Sequence, residues 1–586
     1  MASMKHSQPS FAPVACLFIA SIFFVGCSDD SNAVREIQAK RQERLQSESK
    51  QDHLKETFAL LGDLVNLNRS KADRQMAYHL NQWRNENPIA QVPTTKLIKS
   101  VNDLMQPEAV AERIEKEQFR AKDIDHLRDC YLFSRVVGWT NTELNDDQLL
   151  KDWLESESEK LGSDLGDQLR TATRMFDWTV RNIALEPMQK PIPSNAFPMP
   201  KLDHGMRLGG PGYRQSDYQT LWRGSGDGLQ RGAVFIQLCR QAGIDAAVLA
   251  IQSSDTGKLT PWCVGVLIGK EVYLFEASLG VYIPGPDQKG IAKLSQARRD
   301  DSVTRRLSIP GFDEFKFAFS KKDVQQSVAL LNLTPESVAP RMKTLQSRLT
   351  GDRRMTLYVD ADAQAEKWDA ASGIGGVQAW DKPFLNEAYA ATMKKQAELH
   401  PAFAFWHISQ WVVLDGGDNS AETLSKGRWQ HLHGVFGNNE DDTVKGARAL
   451  YMSQRAPEFE IEDLINDVEL QRKYFRRELG SDIQDYKTQL RTIQEVLKLG
   501  KRTATYWLSL VQFADGRIDT SDKWFTRVLD KNQRSVWQAP ARYNQGRAAE
   551  QLNDSDRAIE LYKTSGDSQE HGNRIRARLL SKASDK

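Results

Sequence analysis

Residues 224–252 read GSGDGLQRGAVFIQLCRQAGIDAAVLAIQ, and residues 253–286 continue SSDTGKLTPWCVGVLIGKEVYLFEASLGVYIPGP. The first stretch opens on a glycine-rich turn around Gly226 and Asp227. Ala233, Phe235, Leu238 and Ala242 then recur at roughly helical spacing before Gly243, which predicts a helix and its stop. In the second stretch Trp262, Val264, Val266 and Ile268 alternate, as do Val272, Leu274 and Ala277 with one slip. Period-two runs of this kind are strands, and Gly269-Lys270 between them reads as a tight reversal. A helix leading into antiparallel strands, inside a chain of mostly helical period, predicts an α+β fold.

The spacing of Gly226-Asp227, Phe235, Leu238, Arg240, Gly243-Ile244, Trp262 and Leu274-Phe275-Glu276 resembles the transglutaminase-like family of papain-type folds. That resemblance implies a helix packed on an antiparallel sheet. Members of the family carry Gly-x-Gly-Asp-Cys at the helix start, His-x-Trp on the next strand and Asp at the end of the one after. The helix N-terminus lowers the thiol pKa, the imidazole takes the thiol proton, and the acid orients the imidazole. Here the nucleophile position falls on Gly228, the base on Thr260 and the acid on Glu276. Glycine has no nucleophile and a threonine hydroxyl is no base near neutral pH, so no catalytic residue is expected from the family pattern.

Cys239 and Cys263 are the displaced thiols that an active relative would need, with His204 or a histidine of the helical region as base. Cys239 lies well inside the predicted helix, away from the dipole that activates a thiol, and both read as core residues. Upstream, Leu165, Leu169, Ala172, Phe176, Val180 and Ile183 mark an amphipathic helix similar to the one that precedes the nucleophile helix in that family. Residues 187–218, rich in Pro and Gly, read as a long loop.

The first 27 residues combine a short polar start, an apolar run from Phe11 to Val25, and Gly26-Cys27. They resemble a bacterial lipoprotein signal, which implies cleavage before Cys27, lipidation of its thiol and a cell-envelope location. The run is short for a membrane span.

Lys plus Arg number 79 against 78 for Asp plus Glu, so a net charge of +1 gives no electrostatic reason to expect nucleic acid. With 586 residues, 40% of them hydrophobic, the chain is long enough for several cores. Residues 30 to about 85 are highly charged and helical in period, as in Leu54, Phe58, Leu61, Leu64 and Val65, and Leu127, Cys130 and Tyr131 suggest a buried helix face.

Near the C-terminus, TATYWLSLVQFADGRIDTSDKWFTRVL aligns with APARYNQGRAAEQLNDSDRAIELYKTS, setting Ser509 on Gly546, Ser521 on Ala558 and Phe525 on Tyr562. Each copy is a helix, a polar turn and a second helix, and the pair resembles the tetratricopeptide repeat. Gln545 stands where Leu is common in that family. His431 and His433 are two apart and face different sides of a helix, and the acidic run at Asn438–Asp442 lacks the spacing of a calcium loop. No metal and no cofactor are expected.

These readings divide the chain into a signal (1–27), a charged helical segment (28–115), a transglutaminase-like domain (116–320), a helical region (321–499) and tetratricopeptide-like repeats (500–586). The function they imply is a lipid-anchored envelope protein that binds a peptide or protein partner through a catalytically silent domain. The alternatives are a thiol amidase, transamidase or peptidase that uses a displaced cysteine, and a purely structural repeat protein.

Overall fold

Asp227 and Gln230 explain why a helix begins where the glycine turn ends. Asp227 Oδ1 accepts from the backbone N–H of Leu229 and of Gln230, each at 3.0 Å, and Gln230 Oε1 accepts from Asp227 N–H at 3.0 Å. This reciprocal capping box satisfies donors that a helix start leaves orphaned. At the far end Gly243 adopts φ +73°, a left-handed turn that a side chain would strain.

The computed structural model describes residues 52–89, 107–187, 212–399, 422–474, 482–530 and 535–584. Residues 1–27 with Cys27, most of the Pro- and Gly-rich link with His204, and His400 and His407, which flank PAFAFW and read as packing residues, lie outside the described residues. In chain order come helices α1 (Ala121–Thr140), α2 (Lys151–Leu161) and α3 (Ser163–Asn182), strand β1 (Ala184–Leu185), helix α4 (Asp217–Arg223), strand β2 (Ser225–Gly226) and helix α5 (Gly228–Gln241). Strands β3 (Asp245–Gln252), β4 (Leu259–Ile268), β5 (Glu271–Glu276), β6 (Val281–Tyr282), β7 (Ser327–Leu331) and β8 (Val377–Ala379) follow. The C-terminal half adds helices α6 (Lys382–Leu399), α7 (Glu422–Leu432), α8 (Ala447–Ser453), α9 (Ile483–Ala514), α10 (Ile518–Val528), α11 (Gln538–Gln551), α12 (Ser555–Tyr562) and α13 (Glu570–Ser584). The chain is thus α+β, and the expected loop ends at Ser216, which caps α4 through a second capping box with Gln219.

The six-stranded sheet has the order β6-β5-β4-β3-β7-β8. Its first five strands are antiparallel neighbours, but β8 runs parallel to β7, so the sheet is mixed rather than antiparallel throughout. It also draws two strands from beyond residue 320, where only helices were expected. All five residues of β7, SVALL, are buried, and a strand covered on both faces shows no alternation to read.

Phe176 of α3, Phe235 of α5 and Phe275 of β5 meet with centroids 5.0–5.3 Å apart and lock the two helices onto one sheet face. Trp262 is the extra residue of a bulge, because Leu249 pairs with Cys263 while Ala250 pairs with Pro261. Proline lacks the ladder donor and is tolerated at such an irregularity.

Helices α9 and α10, and α11 and α12, form the two expected hairpins. Ser509, Ser521 and Ala558 are fully buried between them, and a Cβ on Gly546 would come within 2.6 Å of the Tyr562 ring. The hairpins are not set apart: α9 begins at Ile483 and crosses the expected boundary at 499. Tyr543, Ala549, Tyr562 and Ile575 join the same apolar cluster as the sheet. The described residues from Leu54 onward form one compact unit. Buried ion pairs reinforce the join: Arg576 reaches Asp147 at 2.9 Å and Glu550 at 2.6 Å, and Arg547 pairs with Asp177 of α3.

Candidate functional site

Gly228 and Glu276, where the resemblance would set a nucleophile and an acid, both touch Ser278. A Cβ on Gly228 would lie 2.6 Å from Ser278 Cβ and 2.9 Å from its Cα, so the backbone after β5 occupies the space that a cysteine side chain would need. Glu276 Oε1 accepts from Ser278 N–H at 3.0 Å and from Ser278 O–H at 2.7 Å. Burial pushes the Glu276 carboxyl up to about 7, against the downward pull of those two donors. Thr260 is outside this group: it is exposed at the start of β4, paired with Ile251. From Val264↔Phe275 the register sets Cys263 opposite Glu276, on the sheet face turned away from the Phe275–Phe235 contact.

The C-terminal helix covers the same region. Arg231 of α5, 1% exposed, donates to the carbonyls of Ile183 and Ala277 and, at 2.7 Å, to Gln569 Oε1. Burial without an acidic partner holds its pKa down to about 10, so it remains charged at neutral pH. Cys239 and Cys263, the displaced thiols expected from sequence, are buried and free, and burial pushes both thiols up, away from the reactive thiolate form. No disulfide links them.

A cleft of about 1210 Å³ opens elsewhere, between α1, α4, α5 and α6. Tyr218 and Trp222 stack in its wall at 6.1 Å, and the Arg128 guanidinium lies over the Tyr218 ring at 3.8 Å. Most of its charges are internally paired. Arg113 meets Glu336 at 2.8 Å and Glu387 at 2.9 Å, Arg128 meets Asp125 at 3.2 Å and Asp129 at 2.5 Å, and Lys382 pairs with Asp217. Burial would raise the Asp217 carboxyl, but Lys382 with Gln237 and Asn332 hold it below its ordinary value.

Arg240 at the end of α5 is the exception. Its donors go to Gln237 Oε1 at 3.2 Å and to the Asn332 carbonyl, and among the described residues it has no carboxylate in ion-pair contact. Burial presses its pKa down. A half-buried guanidinium with neutral partners keeps the capacity to pair with an anionic group.

On α1, one turn apart, His126 and Cys130 also line this cleft. Cys130 Sγ lies 3.6 Å from His126 Nε2 and 4.0 Å from Nδ1, and Nε2 is 2.8 Å from the Leu357 carbonyl. Cys130 is buried in the core, 5% exposed, as its place on an apolar helix face predicted. What that reading missed is the His-x-x-x-Cys spacing in HLRDC, which sets an imidazole and a thiol on one helix face.

His431 is fully buried, with Nδ1 3.3 Å from the Tyr451 hydroxyl, and burial together with the nearby Arg428 charge holds its pKa well down. His433 bonds the Trp429 carbonyl at 2.8 Å. The acidic run is an exposed turn in which Asn439 and Asp441 accept from Val444 and Thr443. Among the described residues no group of three His, Cys, Asp or Glu is placed to hold a metal ion, and no helix is long and apolar enough to cross a membrane. No family model, curated protein or solved structure matches this chain.

Proposed function

We propose that this protein is a recognition module that binds an acidic peptide segment, free or part of a protein partner, in the cleft between α1, α4, α5 and α6. The observation that carries the reading is Arg240, a guanidinium with neutral partners in a cleft whose other buried charges are already matched. Tyr218 and Trp222 offer rigid apolar surface for the remainder of a ligand. The crowding at Gly228 supports recognition over the family's acyl transfer at that position, and the resemblance to a lipoprotein signal at Cys27 supports tethering at a cell envelope.

The test is selection of random peptides on the full chain, followed by titration calorimetry. Enrichment in Asp and Glu is expected, and Arg240→Met should weaken the selected peptides about 10-fold or more, the worth of a charge-assisted hydrogen bond. Equal affinity for the wild-type and Arg240→Met proteins would overturn the reading.

A further inference from the structure

We propose that Cys130 and His126 form a nucleophilic thiol–imidazole pair in the cleft, taking the acyl group of a carboxylate-bearing ester, thioester or amide. It rests on the recognition reading for the carboxylate contact at Arg240 and goes beyond it by assigning chemistry. Three features separate Cys130 from the chain's other described thiols. It lies in van der Waals reach of an imidazole, it borders a cleft, and a cationic guanidinium approaches from the neighbouring helix α5. Cys130 is itself 5% exposed, as buried as Cys263 at 4%, but neither Cys239 nor Cys263 lines the cleft.

The Leu357 carbonyl fixes the roles of the two ring nitrogens. It accepts from Nε2–H, which leaves Nδ1, 4.0 Å from the sulfur, as the lone pair that can take the thiol proton. The groups facing the pair are Asp125, Arg128 and Asp129 from α1, Arg240 from α5, and Glu336 beyond β7. Burial disfavours the imidazolium, but the sulfur, the Leu357 carbonyl and Glu336 favour it, so the proton taken from the thiol is stabilised on Nδ1.

The step balances with water as the co-reactant. The thiol proton passes to Nδ1, and the sulfur attacks the acyl carbon. The carbon's bond to the leaving oxygen, sulfur or nitrogen breaks, and the leaving atom takes the proton from Nδ1. The Cys130 thioester is then opened by water, which gives a proton to Nδ1 as it attacks and releases a carboxylic acid while the thiol is restored.

The probe is mono-p-nitrophenyl glutarate, compared with uncharged p-nitrophenyl butyrate, on the full chain. A burst of about one p-nitrophenolate per chain is expected, with the glutaryl mass on the peptide that contains Cys130. Cys130→Ser should abolish the burst, His126→Gln should slow it about 10-fold or more, and Arg240→Met should remove the preference for glutarate. In parallel, iodoacetamide should label wild-type Cys130 in the folded protein, with Cys239 and Cys263 labelled only after denaturation. A burst that survives Cys130→Ser, or a Cys130 that resists iodoacetamide until unfolding, would overturn the proposal. If the selected peptides still bind the Cys130→Ser protein while no burst is seen, this inference fails alone. If Arg240→Met leaves peptide binding unchanged, the recognition reading fails.

Discussion

Glu276 is a carboxyl kept where water cannot solvate its charge. Its folded pKa of about 7 lies above the roughly 4.3 of a free glutamate. Between those values the native chain holds a proton that the unfolded chain has released, so this group's contribution to stability falls as pH rises across the window and levels off above it. Glu276→Gln keeps an acceptor oxygen for Ser278 and cannot ionise. Its stability relative to wild type should therefore grow from pH 5 to pH 8, by at most about 3 kcal/mol. Urea denaturation at the two pH values measures this, and a difference that does not change with pH would contradict it. In sequence, Gly228 and Thr260 carry no nucleophile and no base at the positions where the resemblance would place them. The sequence did not show that the vacant side-chain space at Gly228 is filled by Ser278, because that contact joins residues 50 apart and has no local signal.

At the scale of elements, legibility follows the range of the forces involved. Helix α5, the β4–β5 hairpin and the paired C-terminal helices were readable because caps, turns and periodicity are local. Strands β7 and β8 were not, since β7 is a uniformly buried run and β8 is three residues long. Docking of α13 on the turn after β5 was equally hidden. It depends on Gly572, where a Cβ would fall 1.6 Å from the Leu279 carbonyl oxygen, and on Gly280, whose φ of +66° and contact with Gln569 leave no room for a side chain. Gly572→Ala must push the helix off that turn and should cost about 1–3 kcal/mol or more, as overpacking does. A denaturation midpoint equal to wild type would show that the helix is not held there. The cleft itself was illegible in sequence, being assembled from α1, α4, α5 and α6 across more than 250 residues.

For the whole molecule, the C-terminal hairpins are part of one core rather than an appended array. Tyr543, Tyr562 and Ile575 pack into the sheet's apolar cluster; without Arg576 the buried Asp147 carboxylate would lose its ion-pair partner, and without Arg547 the buried Asp177 would keep only Arg181. A chain ended at residue 534 should therefore lose cooperative unfolding of the remainder, seen in calorimetry as a lost or strongly lowered transition. An unchanged transition would mean separate domains. The same integration places α13 over the region of Gly228 and Glu276 and leaves the cleft on the other side of α5 as the accessible site. Hydrogen–deuterium exchange of the full chain with and without a selected acidic peptide tests that location most directly. Slowed exchange confined to 217–223, 236–241 and 382–394 is the predicted result, and slowed exchange at 276–280 and 570–584 with none in the cleft would contradict it.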